Sequence, residues 1–95
     1  MKEKLMNLCL ELVQKKNPTL PKEDIDNFVS DIYLRLFERI VLKFGEKVDD
    51  EALYNINPLL DQDDDDVIFQ AMGKYVNIEE LCNESFQEIE KTYLK

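Results

Sequence analysis

Apolar residues recur every three to four positions along most of this chain, and no segment shows the period of two expected of a half-buried strand. The longest helical run is 28–44, FVSDIYLRLFERIVLKF. At about 100° per residue, Ile25, Phe28, Val29, Ile32, Tyr33, Leu36, Ile40 and Phe44 share one broad face. Leu34, Phe37 and Val41 form a second stripe beside it. The remaining face carries Asn27, Asp31, Arg35 and Glu38, with Asp31 and Arg35 spaced for an i, i+4 ion pair. A helix this apolar contacts several neighbours at once, so the rest of the chain is organised around it.

Local signals divide the chain into five helices. The first spans 2–16, with Leu5, Leu8, Cys9, Leu12 and Val13 inward and Lys15 and Lys16 in the last turn, where they favour the negative end of the helix dipole. Thr19 as a cap, Pro21 in the first turn and Gly45 as the stop predict a second helix over 20–44. The third, 49–57, is capped by Asp49 and stapled by Val48 and Leu53; Leu53, Ile56 and Leu59 or Leu60 face inward, and Pro58 limits its length. A fourth over 64–75 turns Val67, Ile68, Ala71, Met72 and Tyr75 inward. The fifth, 78–94, opens on the clearest local signal, with Asn77 as cap, Glu80 placed to reach back to it, and Val76 and Leu81 as the staple. Its inner face is Ile78, Leu81, Cys82, Ser85, Phe86, Ile89 and Tyr93, leaving Glu80, Glu84, Glu88 and Lys91 outside. The expectation is an all-α bundle of five helices in one domain of 95 residues, in which 1–17 is the segment able to pack as a separate amphipathic helix.

Composition sharpens that picture. The chain is 44% hydrophobic and 35% charged, the make-up of a folded helical protein rather than a disordered one. Its net charge of −9 is uneven: 1–22 carries +3 and 23–95 carries −12. Such a surface repels nucleic acid and anionic lipid, which are bound through cations. It suits a basic protein partner, a cation or nothing specific. Cys9 and Cys82 fall at apolar helix positions and are expected to be buried, reduced thiols of a cytoplasmic protein. The opening MKEKLMNLCLELV imitates an export signal, but Glu3 and Glu11 interrupt what should be an uncharged run. No run approaches the ~20 apolar residues of a membrane span.

Candidate chemistry is sparse. The chain contains no histidine, which removes the commonest general base and metal ligand. The cysteines lack metal-binding spacing, Ser30 and Ser85 have no base nearby in sequence beyond carboxylates, and Gly45 and Gly73 do not make a phosphate loop. No catalytic or cofactor-binding residue is expected, and no enzyme. Asp61, Asp63 and Asp65 match the first ligands of a calcium-binding loop, but Asp66 falls where the sharp turn needs Gly and Met72 where a bidentate Glu is needed. The run 61–66 is better explained as an acidic helix start.

Four features resemble an uncharacterised family of short acidic bacterial helical domains, a domain of unknown function. They are Leu20-Pro21-Lys22-Glu23, the cluster Leu36, Arg39 and Ile40, Asp49-Asp50-Glu51-Ala52-Leu53, and Asn77-Ile78-Glu79-Glu80-Leu81 leading into a charged final helix. The resemblance covers 20–95, implies the helical fold and carries no activity or site. The sequence therefore points to a non-catalytic protein-interaction module, self-associating or binding another protein through Leu34, Phe37 and Val41. The alternatives are an acidic imitation of nucleic acid that blocks a basic protein, and cation binding at 61–66.

Overall fold

In a computed structural model that describes residues 1–93, the elements run α1 Lys2–Lys16, α2 Lys22–Lys47, α3 Asp50–Ile56, a 3-10 turn Asn57–Asp61, α4 Asp65–Met72 and α5 Ile78–Tyr93. No strand occurs among the described residues, and the architecture is the small all-α bundle that the periodicity predicts. Residue 94, the end of the fifth predicted helix, lies outside the described residues.

Helix α2 spans about 39 Å at 1.5 Å per residue, most of the 46 Å long axis. It runs antiparallel to both α1 and α5. Asn17 ends α1, its N–H donating to Val13 O, and the turn that follows is closed by Leu20 N–H donating to Asn17 O at 3.3 Å. The N-cap position of α2 is Pro21 rather than Thr19, and no side chain caps it. Proline suits this boundary because its missing N–H is one the helix leaves unpaired anyway. At the other end α2 continues through Gly45 to Lys47, past the predicted stop at 44. Gly45 keeps a negative φ, and Leu53 of α3 lies 3.6 Å from where its Cβ would sit. The helix stops where Val48 turns extended (φ −122, ψ 167) and Asp49 takes Ala52 N–H at 3.0 Å to begin α3.

The buried stripe of α2 is Val29, Ile32, Tyr33, Leu36, Ile40 and Phe44. It joins Leu5, Cys9, Leu12 and Val13 of α1, Ile68, Phe69 and Met72 of α4, and Leu81 and Cys82 of α5 in one core. Both cysteines are free and buried, and burial pushes each thiol up to about 11. Ser85 is buried too, its hydroxyl donating to Leu81 O at 2.8 Å within the same helix.

The molecule measures 15 Å between backbones along its thinnest axis. That equals one helix–helix separation of about 8–10 Å plus two backbone radii of about 2.3 Å. Two helix layers fit in that thickness, so one side of α2 has no layer over it.

Several inward assignments change in the fold. Phe28 lies at the margin of the buried stripe and is 42% exposed. In α4, Phe69 is buried although Val67 and Tyr75 were expected inward, and both of those are exposed. The helix is shorter than 64–75: Asp64 caps it and Gly73 follows its last turn. Phe69 turns in because α4 lies beside α2 and sets this ring edge-on to Phe37, with centroids 5.6 Å apart at 69°. Tyr75 keeps one edge against Phe44 at 6.2 Å while its hydroxyl accepts from Asn55 Nδ2 at 3.1 Å. Helix α3 ends at Ile56, and Leu59 and Leu60 are half-buried in the 3-10 turn that Pro58 enters near its start.

Candidate interaction surface

The stripe Leu34, Phe37 and Val41 divides. Phe37 and Val41 are half-buried against the core, Phe37 through Phe69 and, at 6.4 Å, Tyr33. Leu34, at the outer margin of the stripe, is 57% exposed. Sequence reasoning missed Leu42, which is 69% exposed. It falls within the polar face of the wheel, between Asp31 and Arg35, where neither apolar stripe reaches. Phe28, Arg35 and Leu42 stand seven residues apart in succession, so they follow one line along α2.

Beside Leu42, an open groove of ≈ 770 Å³ runs between α2 and the C-terminal half of α5, lined among others by Arg35, Arg39, Leu42, Glu88, Ile89 and Tyr93. One end is closed where Lys16 donates to Tyr93 O and stacks over the Tyr93 ring, 4.3 Å from its centroid. Asn17 Nδ2 also reaches the Tyr93 hydroxyl at 3.4 Å.

Glu84 and Glu88, assigned to the outer face of α5, instead turn across to α2. Glu88 accepts from Lys43 Nζ at 2.8 Å and Arg39 Nη1 at 3.0 Å, and Glu84 faces Lys47 Nζ at 3.5 Å. The pairs arise because antiparallel α2 and α5 bring two complementary charge rows together. Lys43 first and Arg39 second hold the Glu88 carboxyl below the usual glutamate range, and Glu88 holds Lys43 above its own. Asp31 and Arg35, spaced for a pair within α2, are not within ion-pair distance among the described residues.

The aspartate run is occupied with structural contacts. Asp64 Oδ1 accepts from Asp66 N–H at 3.1 Å and Val67 N–H at 3.4 Å, capping α4. Asp65 accepts the Tyr33 hydroxyl at 2.7 Å and lies 3.8 Å from Lys2 Nζ. Burial and that hydrogen bond push the Tyr33 hydroxyl upward. Asp66 accepts Lys2 N–H at 2.9 Å and faces the Met1 amine at 3.1 Å, contacts that hold its carboxyl low. The N-termini of α1 and α4 thus share one acidic cap, as the positive ends of helix dipoles favour. Asp61 and Asp63 are exposed, and no group of three or more acidic or thiol side chains among the described residues is arranged to hold a metal. No helix among them is long and apolar enough to cross a membrane.

The Glu88 pairs make stability pH-dependent in a defined direction. A carboxyl held low in the fold stabilises it above the unfolded value of about 4.3, and that contribution is lost as pH falls through the lower folded value. Glu88→Gln should therefore melt at a lower temperature than the native chain at pH 7. The gap should narrow as pH falls below the unfolded value of about 4.3 and close once native Glu88 is neutralised as well. A gap as wide in acid as at pH 7 would mean that the ion pairs are not its source.

No protein-family model, curated protein or solved structure matches the chain.

Proposed function

We propose that this chain is a small, acidic, non-catalytic helical module of the cytoplasm that binds another protein through the uncovered side of α2, with Leu34 at the contact and Phe37 and Val41 supporting it from below. The carrying observation is that three of the six exposed large apolar side chains among the described residues, Phe28, Leu34 and Leu42, stand on this one helix. Apolar groups gathered on one element favour a partner over isolated surface noise. The cytoplasmic assignment rests on two buried thiols that remain free.

The acidic-imitation alternative draws less support, because Glu84 and Glu88 spend their charge on α2. Affinity capture from the native cell with the unmodified chain and with Leu34→Glu tests the proposal. The expected result is at least one co-purifying protein retained by the first and lost by the second, with both variants melting alike. The same set of proteins on both would remove Leu34 from the contact.

A further inference from the structure

Centred on Arg35, the outer line of α2 places complementary side chains at matching distances in both directions. Phe28 and Leu42 stand seven residues to either side, and Asp31 and Arg39 stand four residues to either side with opposite charge. With Glu38, these residues fall within a sector of about 100° around the helix. Phe28, Asp31, Arg35, Glu38, Arg39 and Leu42 are all exposed. We propose that α2 pairs with α2 of a second copy, antiparallel about a twofold axis at Arg35. This rests on reading the chain as an interaction module, but it uses a different line of α2 from Leu34, about 80–100° around the helix.

The twofold places each residue opposite its counterpart across Arg35, as an isologous interface requires. Phe28 meets Leu42 of the second copy and Asp31 meets Arg39, and both contacts occur twice. The two Arg35 side chains approach at the axis, where each is met by the Glu38 of the other copy, one helical turn away. The groove of ≈ 770 Å³ beside Leu42 gives the incoming Phe28 ring an apolar wall at Ile89. Arg39 has one terminal nitrogen on Glu88, and Lys43 also holds that carboxylate, so Arg39 retains donors for Asp31 of the second copy.

Charge selects the occupant. The chain carries −9 in all, whereas this patch, with Asp31 and Glu38 against Arg35 and Arg39, is neutral. Two copies therefore meet here with less repulsion than across a typical stretch of the −12 segment. One helix pair buries roughly 1,000 Å², at the small end for specific interfaces. The dimer is thus weak and populated at concentrations on the order of 100 µM.

Sedimentation across about 10 µM to 1 mM, a range set by that weak interface, tests it. The native chain should move toward twice the monomer mass. Asp31→Arg alone and Arg39→Asp alone each set like charges together at two symmetric contacts and should weaken self-association roughly tenfold. Mixing the two variants restores opposite charges at both contacts, so heterodimers should form where neither variant dimerises alone. A purely structural effect would not give this rescue. Leu42→Asp, at a position outside the ion pairs, should stay monomeric whether or not Arg39→Asp folds. A native chain monomeric throughout, or Leu42→Asp dimerising like the native chain, overturns the proposal, as does failure of rescue between two folded variants. If dimerisation fails while Leu34→Glu still loses its captured partner, the proposed function stands and the self-pairing falls; the converse separates them the other way.

Discussion

Truncating Phe69 to alanine is expected to destabilise the fold by about 3–5 kcal/mol. The ring is buried in the common core and meets Phe37 edge-on, so its removal loses an aromatic contact and leaves a cavity between α2 and α4. Helix α4 has eight residues, too few to hold a helix without tertiary support. Its attachment depends on Ile68, Phe69 and Met72, the three residues it buries. Against a total stability of about 5–15 kcal/mol for a domain of this kind, the loss should populate unfolded chains at ordinary temperatures. Urea unfolding at 25 °C measures it as a fall in midpoint. A cost below about 1 kcal/mol would show that the ring does not fill the site described for it.

The second large effect is a contrast between two leucines on one helix. Leu36→Ala should cost about 2–5 kcal/mol, since Leu36 is fully buried, and Ile32→Ala should fall in the same range. Leu34→Ala should cost under about 1 kcal/mol. The two leucines differ by two positions, about 200° around the helix, which sends one into the core and the other toward solvent. Parallel urea titrations give both values. A full-sized loss at Leu34 would mean that it belongs to the interior and is not available to a partner.

Much of the fold was legible from neighbouring residues. Asp49 and Asn77 cap helices where their spacing predicts, with Asn77 Oδ1 taking Glu80 N–H at 3.2 Å and Asp49 taking Ala52 N–H. The expected stripe is buried from Val29 to Phe44, while Ile25 is half-buried and Phe28 exposed at its N-terminal end. These features depend on hydrogen bonds and side-chain directions settled within about one turn. Gly45 misled because glycine ends a helix only where the chain turns left-handed, and here it stays helical beneath Leu53. The candidate contact was less legible. A helical wheel puts Phe37 next to the core stripe and Leu34 farthest from it, but nothing local says that Phe69 covers Phe37 while Leu34 remains open.

The sequence by itself determined the five α-helices, the caps at Asp49 and Asn77, the core stripe of α2 and the lack of histidine, because each is written in residue type and short spacing. Tertiary structure alone decided that Glu84 and Glu88 face α2, that the aspartate run caps α1 as well as α4, and that Leu34 and Leu42 stay in water. Those outcomes depend on which distant segments arrive beside one another. A molecule two helix layers thick has neighbours enough for one side of α2 and none for the other.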